Sequence, residues 1–215
     1  MKTEGSQNEI TVFSQAITDA DIQLNVDLEE ADIFELFDSD ILDSIPGLKE
    51  IRAFYKAYAS IRDRLFMKKF LLFLQELRTG TISEEKRADF KAKFDSDKKY
   101  RTRIMEHIIS YIDEYKSNER VKILSRLFRA YIEGHYDWEY FLAMAGCLER
   151  VNLDFVNEIP RLDTTEGKEV TQYDERQILA ESNLISSGLA IKMSVWSSDT
   201  YPTQLGKDIY KFGLA

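Results

Sequence analysis

The sequence is poor in the residues that staple, punctuate or bind metal. Its 215 residues include one cysteine, Cys147, so no internal disulfide forms and a reducing compartment is the expected setting. His107 and His135 are the only histidines, and neither stands at helical ligand spacing with the other or with Cys147, so the usual zinc patterns are excluded. Three prolines and nine glycines leave no glycine-rich phosphate loop and no Gly-Lys-Ser/Thr motif. No run of about eighteen uncharged apolar residues is present, which argues against a spanning helix. Met1 to Ser14 lacks the basic start and apolar stretch of a secretory signal, and the cytoplasm is therefore the expected location. Asp38 to Asp43 carries the acids of a calcium loop without its turn glycine or closing glutamate. With 38 Asp+Glu, paired carboxylates single out no site. No catalytic, metal or cofactor-binding residue is expected, and the chain does not read as an enzyme.

What the sequence has in quantity is charge, unevenly placed. Met1 to Ile45 holds twelve acidic residues and one basic one. Pro46 to Met105 holds sixteen basic and eight acidic, and Glu106 to Ala215 twelve basic and eighteen acidic. Opposite charges adjacent in sequence predict that the acidic leader lies against the basic helices, neutralising them within one molecule. An anionic partner is the other reading.

Ile10 to Phe13 and Ile22 to Val26 alternate as short strands do, and Leu28 to Leu42 reads as an acidic amphipathic helix. Ser44-Ile45-Pro46 predicts a helix start. Leu48, Ile51, Tyr55, Tyr58, Leu65, Phe73 and Leu77 then mark one continuous apolar face up to Gly80. Thr81-Ile82-Ser83-Glu84 matches a capping box for a short helix to Phe94, and Ser96 is the expected cap of the next. Asn118 opens a further helix closed by Gly134, and Asp137 caps one that Pro160 stops. Short joints between such helices predict antiparallel neighbours in a bundle. Arg161 to Tyr173 reads as a linker. Beyond it the order is helix, Gly188 as left-handed terminator, a strand from Leu189 to Trp196, a turn, a return at Thr200 to Pro202, and a last helix capped by Thr203. The predicted organisation is a partly ordered acidic leader (1–43), a helical bundle (44–160), a linker (161–173) and a winged-helix-like α+β end (174–215). Within the leader, Leu28 to Leu42 is alternatively a disordered segment that orders on binding.

Two resemblances follow from these residues. Gly188, Leu189, Ile191, Tyr201, Thr203 and Gly206 resemble the end of a winged-helix domain in bacterial regulators of the MarR and PadR kind. Here Pro202 stands between Tyr201 and Thr203, so there is no Leu before the Thr. Asp40 to Val156 is similar to a loose set of uncharacterised bacterial helical proteins, through Ile61 to Phe70 and Lys122 to Gly134. That second likeness implies shape, a mainly α antiparallel bundle, and no chemistry.

One charged group stands out. On a helix, Arg62 and Arg64 lie about 200° apart, so they cannot share one solvent face. With Lys68 and Lys69 they are the candidate partner-contact residues; the alternative is a salt bridge within the bundle, to the acidic leader among others. The reading of the whole is a non-catalytic bacterial interaction or regulatory protein that uses helix surfaces to meet a protein partner or a second copy. A DNA-associated regulator would need an exposed basic face on the helix before Gly188, where cations are few, so nucleic acid is not the expected partner. A peripheral membrane protein would need the face from Pro46 to Leu77 exposed, and a membrane surface is the weaker alternative. A part in antiphage defence rests on association alone.

Overall fold

The structure, a computed structural model, describes residues 13–14, 16–18, 27–32, 60–164, 174–193 and 199–214. The fold is mainly helical, with a small two-stranded antiparallel sheet near the C-terminus. The helices are α1 (Ile61–Thr79), α2 (Glu84–Ser96), α3 (Lys98–Glu114), α4 (Asn118–Ile132), α5 (Trp138–Arg150), α6 (Leu153–Val156), α7 (Ile159–Thr164) and α8 (Glu175–Ser187). Strands β1 (Ala190–Lys192) and β2 (Thr200–Pro202) follow, then α9 (Gln204–Ile209) and a π-helical turn at Tyr210–Leu214. The chain divides into two compact units, Met1–Ser125 and Arg126–Ala215, and the division falls inside α4.

In the first unit, only Phe13 of the short strand expected at Ile10 to Phe13 is described, and it is helical; Ile10 to Val12 lie outside the described residues. Residues 13–14 and 16–18 are helical, because Phe13, Ala16 and Ile17 at i, i+3, i+4 form one buried face. Phe13 sets its ring edge-on against Phe70 of α1, 4.4 Å between centroids. Leu28 to Ala31 is a turn, where an amphipathic helix was expected. The Asp27 carboxylate accepts from the Glu29 and Glu30 amides. Lys68 takes the carbonyls of Glu29 and Ala31, which a continuing helix would spend on its own next turn.

The long helix predicted from Pro46 to Leu77 is not continuous. Ser60 is extended and caps α1 through a reciprocal capping box with Asp63. The start at Ser44 to Pro46, the strand at Ile22 to Val26, most of the helix expected to Leu42 and the acids Asp38 to Asp43 lie outside the described residues. Two further caps shift by a residue or two. Ser83, not Thr81, precedes α2, and Asp97, not Ser96, caps α3 by accepting from the Lys99 and Tyr100 amides. Met67, Phe70, Phe73, Leu74, Ile104, Ile108, Ile112 and Leu124 form the core of this unit. Ser125, buried in α4, ties it down by donating to the Phe73 carbonyl at 2.7 Å.

In the second unit, Gly134 at φ 82° ends the α4 segment, and Asp137 caps α5 by accepting from the Tyr140 amide. Phe128, Tyr131, Trp138 and Phe141 make a ring cluster with centroids 4.8 to 6.4 Å apart. Pro160 does not stop the helical pattern. It is the second residue of α7, where a proline costs no hydrogen bond, so Arg161 to Thr164 is helix rather than linker. The remainder of the expected linker, 165–173, lies outside the described residues. Asp174 caps α8, and Gly188 at φ 86° ends it. The Leu189 amide reaches back to Leu184 and the Gly188 amide to Ile185, the paired bonds of a left-handed terminator. The strand expected to Trp196 is described only as Ala190–Lys192, paired in register with Thr200–Pro202, and its predicted turn at 197–199 is described only at Asp199. Thr203 caps α9, accepting from the Gly206 amide.

Two half-buried tyrosines fasten this unit through their hydroxyls. Tyr136 donates to the Leu127 carbonyl at 2.5 Å, and Tyr140 to Asp208 at 2.8 Å. Burial pushes both phenols above their ordinary value of 10.0, with the Asp208 charge adding to each. A raised phenol pKa means the folded chain keeps a proton that the unfolded chain releases. Stability is therefore full below pH 10 and falls as pH rises beyond it, by at most about 1.4 kcal/mol per pH unit for Tyr136. Urea midpoints between pH 9 and 11.5 are expected to fall less steeply in Tyr136→Phe than in the native chain. Equal slopes would mean that Tyr136 does not carry the effect.

Candidate functional site

The four residues singled out by the sequence do not form one outward patch. Arg62 reaches from α1 to an ion pair with Asp113 of α3, and its side chain remains 79% exposed. That carboxylate raises the guanidinium pKa, first by its hydrogen bond and then by its charge. Lys68 turns to the turn at 27–31, donating to Glu29 and Ala31 carbonyls at 3.1 and 2.9 Å. Lys69 turns to the end of α3, donating to the carbonyls of Asp113 and Tyr115 at 2.9 and 3.0 Å. A lysine there satisfies helix-terminal acceptors and sits at the negative end of the helix dipole. Burial lowers the Lys69 pKa, partly offset by Asp113. Arg64 is half-buried, on a different part of the helix surface from Arg62. Asp63, between the two arginines, is the partner of Ser60.

Arg62, Lys68 and Lys69 line a cleft of about 340 Å³, and Arg64 does not. Lys116 and Asn118 close its far side, Asp113 and Glu114 contribute carboxylates, and Leu65, Phe66 and Tyr115 supply apolar wall. Ile61 and Leu65, one helical turn apart, leave 67% and 49% of their surface exposed. The leader contributes a second tie to the unit, an ion pair of Glu29 with Lys122 at 2.7 Å. Among the described residues no group of three or more side chains is arranged to hold a metal ion. Nor is any helix among them long and apolar enough to cross a membrane.

The second unit carries a surface that sequence reading missed. Ile178 and Leu179 of α8, with Ile191 of β1 and the adjoining Met193, are 47 to 74% exposed. Glu181 shows how these elements meet. It is buried, accepts from the Thr200 hydroxyl at 2.8 Å, and faces Arg161 at 3.5 Å. Thr200 pairs with Lys192, so the outer end of the ribbon lies at the Glu181 turn of α8. Ile178 precedes Glu181 by one turn of α8, and Met193 is the bend residue that follows Lys192 at the end of β1. Charge on this surface is balanced: Asp174 and Glu175 against Arg176 and Lys192, all exposed. The signal in the sequence was the adjacent pair Ile178-Leu179, which cannot both face the core of one amphipathic helix.

Cys147 is buried in α5; burial raises its thiol pKa, offset in part by Arg150. His135 stacks on Phe212 at 4.8 Å. Cys147 is thus a packed side chain, whereas His135 is exposed and its ring rests on Phe212. Comparison with family models, with curated proteins and with solved structures finds no match to this chain.

Proposed function

We propose that the chain is a non-catalytic interaction or regulatory protein that binds a protein partner through the surface of α8 and the ribbon beside it. The observation that carries this reading is the exposure of four large apolar side chains on adjoining elements, Ile178 and Leu179 of α8 and Ile191 and Met193 at β1. Several such side chains on neighbouring elements favour a contact surface, whereas single exposed hydrophobics mean little. The balanced charge supports a protein over a nucleic acid, since duplex binding draws on several phosphate-facing cations. On this reading the helix, ribbon and Thr203-capped helix form a winged-helix-like end used for protein contact, attached to an antiparallel helical bundle. The single cysteine supports a place in the bacterial cytoplasm.

A photo-reactive residue at position 179 is expected to give one discrete protein adduct in the cells that make this chain. The adduct should vanish when Ile178 and Met193 are both changed to Asp, while thermal stability stays within about 1 kcal/mol. An adduct of twice the chain's mass would identify the partner as a second copy. No adduct, or one indifferent to the two substitutions, would refute the reading, as would salt-sensitive duplex binding that the same substitutions abolish.

A further inference from the structure

We infer that the cleft of the first unit is a binding site for an oxyanion, a phosphate or carboxylate group, carried on a ligand with an apolar portion. Its charge is out of balance. Four cations line it, Arg62, Lys68, Lys69 and Lys116, against two carboxylates, Asp113 and Glu114. Arg62 and Asp113 neutralise each other. Among the described residues Lys116 has no ion pair, and Lys68 and Lys69 hydrogen-bond carbonyl oxygens and no carboxylate. Carbonyl dipoles orient an ammonium without cancelling its charge. Each of these two lysines uses two of its three N–H donors this way, leaving one donor each for a ligand. Their positions are fixed in advance by backbone, so an incoming anion orders no flexible chain, which lowers the cost of binding.

The cleft's size suits a small organic molecule rather than a bare ion, being at the lower end of ligand pockets. Leu65 and Phe66 give such a molecule an apolar wall beside the charged one. The depressed pKa of Lys69 agrees with a partly buried ammonium that an anion would stabilise.

The test uses the full chain and three probes: phenyl phosphate, inorganic phosphate, and phosphatidylcholine vesicles containing phosphatidylglycerol. Titration calorimetry is expected to show saturable binding of phenyl phosphate, about tenfold tighter than inorganic phosphate and weakened by salt. Lys116→Glu, a change at an exposed position, is expected to weaken it by about tenfold or more. Lys69→Gln should do the same, and Lys116→Glu keeps the test decisive if loss of the α3 cap unfolds the former. Binding confined to the anionic vesicles, and lost in Lys116→Glu, would assign the oxyanion to a lipid headgroup instead of a soluble ligand. Failure of both arms, or binding indifferent to Lys116→Glu, would overturn the inference.

Discussion

Gly206→Ala is expected to destabilise the Arg126–Ala215 unit by about 3 kcal/mol, although alanine is the better helix former. Gly206 lies in α9 with ordinary helical geometry, so the cause is space rather than backbone conformation. A methyl group there would stand 2.2 Å from the Leu189 carbonyl oxygen and 3.1 Å from its carbon. Backbone cannot rotate away as a side chain can, so α9 must lift by about an ångström to restore contact distance. That motion pulls on the Thr203 amide bond to the Leu189 carbonyl, 2.9 Å, and the Thr203 hydroxyl bond to the Gly188 carbonyl, 2.8 Å. Gly146 is the matched control. A methyl there meets only Arg150 at an ordinary 3.5 Å, so Gly146→Ala is expected to stabilise by up to about 1 kcal/mol. Trp138 is buried in this unit, and urea unfolding followed by tryptophan fluorescence reads it. Equal signs for the two substitutions would show that α9 is not seated on Leu189.

Phe70→Ala is expected to cost about 4 kcal/mol in the Met1–Ser125 unit. The side chain is fully buried, with Phe13 edge-on at 4.4 Å and Phe66 and Phe73 stacked at 6.4 and 6.5 Å. Removing the ring leaves a cavity that these rigid neighbours cannot fill. It also removes the seat of Phe13, so amide exchange at residues 13–18 should accelerate more than at α3. Leu65→Ala, half-exposed on the same helix, is expected to change stability by no more than about 0.5 kcal/mol. A loss below about 1 kcal/mol for Phe70→Ala would mean that the segment at 13–18 does not pack there.

The parts of the fold that were legible in the sequence are those fixed by local chemistry. Asp137, Gly188 and Thr203 each hold an element end through bonds to residues within five positions, and each was placed correctly. Ser60 was missed because the apolar spacing from Leu48 to Leu77 runs through it without a break, and the period outweighed a Ser-x-x-Asp cap of equally local kind. Pro160 was misread because proline marks both the end of one helix and the first turn of the next. For the candidate site, residue types singled out a stretch of α1 but not the contacts its side chains make. A lysine ammonium bound to carbonyls thirty-seven to forty-six positions away leaves no trace in periodicity or charge pattern. The exposed surface of α8 and β1 depends on which faces the rest of the unit covers, and that is a tertiary fact.

The seat of Phe13 on Phe70 has a consequence for synthesis on the ribosome. Phe13 leaves the exit tunnel ahead of Phe70 of α1, which covers it, by roughly sixty positions, a delay of about 3 to 12 s at ordinary elongation rates. During that interval an apolar segment embedded in a strongly acidic stretch waits in solution. The dozen carboxylates around it then act as a solubilising sleeve on the nascent chain, keeping like segments on neighbouring polysomes apart until α1 arrives.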